Sequence, residues 1–175
     1  VLKFDTEGKK GWIQVAEKAV KTNAMRLLDA AGIAYTSKEY EVDESDLSGG
    51  HVAARLGLDK DMVFKTLVAR GEKNGIMVFC IPVCEELDLK KAAAASGDKK
   101  VEMVRVKEIL GLTGYIRGGC SPVGMKKKYP TYIEETAVLF DEIAVSAGIR
   151  GCQIFLDPEA LIQYTEARVC GLVKE

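Results

Sequence analysis

One ammonium sits inside an apolar stretch, Phe64-Lys65-Thr66-Leu67-Val68-Ala69. In an extended strand, period-two alternation puts Lys65 on the face of Leu67 and Ala69, with Phe64, Thr66 and Val68 on the other. Both faces are largely apolar, so desolvation disfavours the charge unless an anion approaches it. A lysine so placed can hold a phosphate or a ligand carboxylate; the competing reading is a strand-end lysine that extends to water. A second candidate is Gly114-Tyr115-Ile116-Arg117-Gly118-Gly119-Cys120-Ser121-Pro122-Val123-Gly124. Adjacent glycines let the N–H groups of Gly118 and Gly119 approach a ligand closely. They can form an anion-binding nest or face charge developing on an ester carbonyl; the stretch reads equally well as a plain turn. Lys126-Lys127-Lys128 follows directly, suited to a polyphosphate or a nucleic-acid backbone, or to a solvated turn. Tyr40 can stack on a base or ribose, or simply pack at the rim of a strand.

Other chemistry is constrained by what the chain contains. His51 is the single histidine, so a histidine-based triad has one possible base and a multi-histidine metal site is impossible. The five cysteines, Cys80, Cys84, Cys120, Cys152 and Cys170, include no C-x-x-C pair, which argues against zinc and against a disulfide framework. Ser121 has no evident base beside it, and Glu134-Glu135 has no arrangement that ties it to acid–base work. No metal and no cofactor is expected.

The elements that must position these groups are legible in outline. Helical spacing runs over residues 12–31, with Thr22 as a possible second start and Gly32 as a stop. Residues 35–42 alternate as a strand, 43–50 read as a loop, and 52–56 as a short helix closed by Gly57. Residues 62–70 and 76–83 form a hairpin across Gly71-Glu72-Lys73-Asn74-Gly75. The second of these runs is apolar on both faces, as a central strand would be. Asp88 caps a helix through Ser96, stopped by Gly97. A short strand (101–104) and a short helix (106–110) lead into an irregular glycine-rich segment, 112–130. Strands are expected at 132–133, 142–146, 153–156 and 169–172, with Asp157-Pro158 opening a helix to about Tyr164. Helices and hairpins mix without strict βαβ alternation. The expected class is therefore α+β, a single domain with a mixed, mostly antiparallel, barrel-like sheet and flanking helices.

With 175 residues, 47% apolar and 29% charged, the composition is that of a globular protein and excludes disorder, collagen and coiled coil. No apolar run approaches the roughly 18 residues needed to cross a bilayer. The charged first ten residues lack the apolar segment of a secretory signal, which sets a cytoplasmic expectation. Net charge is −1, yet residues 87–130 carry ten basic side chains against four acidic ones. Such a segment on an otherwise acidic chain suggests a localised phosphate-contacting surface, or a lysine-rich solvated face.

Taken together, these motifs resemble the YbaK-type aminoacyl-tRNA deacylases, in the superfamily of the prolyl-tRNA synthetase editing domain. The resemblance runs from about Lys21 to Leu172, which makes residues 1–20 an N-terminal extension and 21–175 the editing domain. It is carried by Phe64-Lys65-Thr66-Leu67, Leu87-Asp88-Leu89-Lys90-Lys91-Ala92-Ala93 and the glycine-rich segment through Pro122. Gly124-Met125-Lys126-Lys127-Lys128 and Val145-Ser146-Ala147-Gly148-Ile149-Arg150-Gly151 extend it. It implies removal of a wrongly attached amino acid from tRNA, with Cys-tRNA(Pro) as the substrate and prolyl-tRNA synthetase as a partner. By position, Lys65 matches the family's essential lysine and Gly118 its backbone donor near the carbonyl. Tyr40 and Ser146 match pocket residues; Gly119 and Lys126–Lys128 would also contact the substrate. In this family the substrate's own thiol is thought to attack its ester, leaving a cyclic thiolactone, so that neither an enzymic nucleophile nor a metal is needed. The family pocket often has an aromatic residue before Gly49-Gly50, where this chain has Ser48; that departure bears on side-chain selectivity. Two alternatives are a non-catalytic module that binds a tRNA end or nucleotide, and a relative that clears Ala-tRNA(Pro).

Overall fold

The computed structural model describes residues 2–4, 10–12 and 20–175, the first two segments as backbone only. Those two segments are strands β1 (Leu2–Phe4) and β2 (Lys10–Trp12), paired antiparallel. Trp12 therefore ends a strand and does not open a helix. The remainder of the expected early helix, residues 13–19, lies outside the described residues.

Helix α1 (Asn23–Ala30) starts where Thr22 can cap it, its hydroxyl accepting from the Met25 N–H. Ala24, Met25 and Leu28 form its buried stripe, and Gly32 leaves it at φ +69°. Strand β3 (Thr36–Glu39) is shorter than the expected run. Helix α2 (Gly49–Leu56) begins earlier than its pattern suggested, because Ser48 supplies the cap; Gly49 and Gly50 thus belong to a helix and not to the loop. The predicted hairpin forms as β4 (Phe64–Gly71) and β5 (Gly75–Pro82), in register from Phe64↔Pro82 to Gly71↔Gly75. Asp88 accepts from the N–H groups of Lys90 and Lys91 to start α3 (Leu89–Ser96), and Gly97 closes it in the left-handed region.

Strand β6 (Val101–Met103) and helix α4 (Val106–Thr113) follow; the helix runs a turn longer than predicted, to Gly114. Its start is held by Glu108, which accepts from the Arg105 N–H and pairs with Arg70. The chain then passes through β7 (Thr131–Glu134), β8 (Ile143–Ser146), β9 (Cys152–Leu156), α5 (Pro158–Thr165) and β10 (Arg168–Cys170).

Five strands form a mixed sheet in the order β10-β7-β5-β4-β6, and three form a second sheet, β3-β9-β8. The pairs β5–β7 and β7–β10 are parallel and the others antiparallel, which gives the mixed, mostly antiparallel α+β architecture expected. A parallel bridge, Val63↔Ala144, joins the two sheets. Strand β5 lies inside the larger sheet and is buried on both faces. Val78 and Cys80 pack with α1 and the smaller sheet, whereas Met77, Phe79 and Ile81 pack with α3. Among the described residues, no helix is long and apolar enough to cross a membrane.

Candidate active site

The most chemically loaded cavity opens along one edge of β4. Val63 accepts from the Val83 N–H at 2.8 Å, so Val63, Lys65, Leu67 and Ala69 are the residues that exchange hydrogen bonds with β5. Phe64, Thr66 and Val68 turn their backbone polar groups to the opposite edge. That edge is anchored at one end by the bridge to Ala144. At the other, the Val68 carbonyl accepts from Val104 (3.2 Å) ahead of the ladder with β6. A cleft of about 520 Å³ lies in the gap, walled by Val52 of α2 and Val83 beside it, by Met103 and Val104 at the end of β6, and by Ile109 of α4.

Lys65, Gly118, Tyr40 and Ser146, which are far apart in sequence, all line this cleft. The Lys65 ammonium donates to the Val83 carbonyl at 3.2 Å. Partial burial holds it below the ordinary lysine range, while Cys84, Glu86 and Glu85 nearby pull it back upward. The cation thus has one neutral hydrogen-bond acceptor and a poorly hydrated setting, in which an anion would be welcome. Gly118 occupies a turn closed by the Gly119 N–H on the Ile116 carbonyl (3.0 Å), and its φ of +84° suits glycine alone. Tyr40 is placed by its own N–H, which donates to Gly151 at 2.9 Å. Ser146 is buried at the end of β8, with its hydroxyl accepting from the Gly148 N–H.

Other expected contacts lie elsewhere. Gly119 is buried against the backbone of Ile149 and Arg150 and does not line the cleft. Lys127 and Lys128 border a separate hollow of about 370 Å³, with Leu27, Tyr129 and Tyr164. Lys126 reaches back to the Gly111 carbonyl, and Lys128 pairs with Glu166. The chain bends at residues 122–124 ahead of the triplet, and none of these three lysines lines the cleft.

Two cleft residues escaped sequence reasoning. Gln153, the cross-strand partner of Ser146, is 6% exposed, and its side-chain carbonyl oxygen has no hydrogen-bond partner. A lone glutamine inside an apolar strand was the available signal. Cys120 also lines the cleft; burial pushes its thiol up to about 11, and that of neighbouring Cys80 to about 12. Both are protonated, poor nucleophiles at neutral pH. His51 lies outside the cleft, bordering a small adjoining cavity with Asp46 and Arg150; Arg55 donates to its Nε2 at 3.3 Å.

Comparisons with known proteins bear on the family and the fold. The family model of the aminoacyl-tRNA editing domain matches residues 49–164. The chain is 51% identical over 148 residues to a protein of Enterococcus faecalis (strain ATCC 700802 / V583), named as a candidate Cys-tRNA(Pro)/Cys-tRNA(Cys) deacylase, EbsC. That alignment covers 85% of this chain and 90% of EbsC. A solved structure described as a candidate trans-editing enzyme for prolyl tRNA synthetase superposes with a TM-score of 0.74 at 25% identity. It covers 90% of this chain and all of the other. The hypothetical protein APE2540 shares the fold, with a TM-score of 0.78 at 21% identity over 85% of this chain and 97% of its own. With its family model spanning most of the chain and a relative identical at half of the aligned positions, this protein belongs to the aminoacyl-tRNA editing domain family.

Proposed function

We propose that this protein is a trans-acting deacylase that clears Cys-tRNA(Pro), with Lys65 and the Gly118 peptide as the groups that act on the substrate. The observation that carries the reading is their convergence on one cleft, with Tyr40 and Ser146 at its margins. In this reading Lys65 holds the phosphate of the terminal adenosine, and the Gly118 N–H donates to the ester carbonyl oxygen. The cysteinyl sulfur attacks its own carbonyl carbon. A C–S bond forms, the bond from that carbon to the ribose oxygen breaks, and the thiol proton leaves with the ribose hydroxyl.

Such a reaction needs a bound conformer with sulfur and carbonyl in line, an orientational contribution that can be large. It makes no use of His51, which lies outside the cleft, of the buried Ser121, or of the Cys120 and Cys80 thiols, which burial keeps protonated. Prolyl-tRNA synthetase is the partner that this activity implies, and the cytoplasm is the compartment where charged tRNA is used. The test is release of tRNA from Cys-tRNA(Pro) by wild type and by Lys65→Ala. Wild type is expected to turn over and the variant to lose activity; a variant of near-normal rate would remove Lys65 from the proposal.

A further inference from the structure

We infer that Arg150 is a positioning residue for the Gly118 peptide, fixing the direction of its N–H and strengthening it as a donor. The inference rests on the deacylase reading and adds a residue that lies behind the cleft wall.

Residues 116–119 form a four-residue turn with Gly118 in its third position at φ +84°. This is the turn form that demands glycine. The commoner form keeps the same closing bond but rotates the central peptide by about half a turn. In this turn the central peptide joins Arg117 to Gly118, and rotating it would reverse the Gly118 N–H. The closing bond from Gly119 to Ile116 does not select between the two. The guanidinium of Arg150 does: its Nε donates to the Arg117 carbonyl at 2.9 Å. In a trans peptide the C=O and the following N–H point in opposite directions. Holding the carbonyl toward Arg150, which borders the small adjoining cavity, therefore turns the Gly118 N–H the other way, toward the cleft that Gly118 also lines.

Charge adds to direction. A cationic donor on the carbonyl end of a peptide polarises it and makes its N–H a stronger donor. The guanidinium itself starts from a fixed place. A Cβ added at Gly119 would lie 3.1 Å from the Arg150 nitrogen, so the turn after β8 and the turn at Gly118 touch backbone to backbone. Gly148 and Gly151 bracket Arg150 in left-handed conformations, and Gly151 also accepts from Tyr40. One short turn thus sets Ser146, Arg150 and Tyr40 at once.

The experiment compares wild type with Arg150→Met and Arg150→Lys, following kcat and KM on Cys-tRNA(Pro) and the Gly118 amide resonance by NMR. For Arg150→Met we expect kcat to fall on the order of 10–10²-fold with KM nearly unchanged, part of the roughly 10²–10³ that loss of an oxyanion donor costs. The Gly118 amide proton should move upfield. Added ethylguanidinium should restore part of the rate to an Arg150→Ala protein, whose truncated side chain leaves room for it, and Arg150→Lys should retain an intermediate rate. An Arg150→Met protein with a dispersed spectrum, wild-type kcat and an unmoved Gly118 amide overturns the inference, as does a loss carried by KM alone. If wild type leaves every aminoacyl-tRNA intact, it is the deacylase reading that fails; the amide resonance still decides how the peptide is held.

Discussion

At the residue scale, Lys65 combines a cost to the fold with the role proposed for it in the cleft. Its ammonium is held below the ordinary 10.5 by burial. The unfolded chain therefore binds more protons than the native protein in the window just below 10.5, and stability rises with pH there. We expect Lys65→Met to abolish that rise and to be at least as stable as wild type in urea titrations at pH 7, while losing activity. Gln153 makes a related case. Its buried carbonyl without a partner carries a desolvation penalty of about 1–3 kcal/mol, so an apolar residue of similar shape should be neutral or stabilising. Equilibrium unfolding of Gln153→Met measures this directly, and a loss of several kcal/mol would mean that the amide is paired after all. Gly118→Ala should behave in the opposite way. The added Cβ is strained at φ +84° and meets Arg150 Nε at 3.3 Å, favouring the rotated peptide; kcat should fall by about 10²-fold, read by single-turnover kinetics.

At the scale of elements, the parts set by local chemistry were readable and those set by distant packing were not. The α3 cap and stop, Asp88 and Gly97, are a short-range code, and they fell where expected. The β4–β5 hairpin was legible because two apolar runs flank a turn-forming connector. By contrast, α2 starts at Gly49 because Ser48 caps it, and because bare glycine lets the helix sit against Val83. A Cβ at Gly49 would lie 2.3 Å from Val83 Cγ1, a contact no local pattern reveals. Val83 lines the cleft and its carbonyl receives Lys65, so Gly49→Ala should shift both. We expect it to lower kcat/KM and to destabilise the fold, with a wild-type chemical-shift pattern for the Val83 methyls as the contrary result. The lysine triplet shows the limit of adjacency in sequence. It follows the glycine-rich loop directly, yet Lys127 and Lys128 border another hollow.

At the scale of the whole molecule, charge and architecture divide the labour. The net charge is −1, but residues 87–130, the segment that includes Gly118, carry ten basic side chains against four acidic ones. If that segment meets a tRNA backbone, log Kd should rise linearly with log salt, with a slope of roughly 0.7–0.9 per phosphate contact. Equilibrium binding between low and physiological salt measures it, and an affinity indifferent to salt would contradict the assignment. Among the described residues one β-bridge joins the two sheets beside the cleft, and the candidate site draws on both: Lys65 comes from the larger sheet, Ser146 and Gln153 from the smaller. That convergence was open to inference only through resemblance, since no spacing in the chain brings positions 40, 65, 118 and 146 together.

In the proposed reaction the protein orients its substrate and the substrate's own sulfur does the cleaving. Its most direct test compares Cys-tRNA(Pro) with Ser-tRNA(Pro) under single turnover, since the two esters differ only by sulfur for oxygen. Wild type should clear the cysteinyl ester and leave the seryl ester essentially intact, with a cyclic thiolactone trapped as the first product. Equal rates on both esters, or free cysteine with no trapped thiolactone, would contradict it.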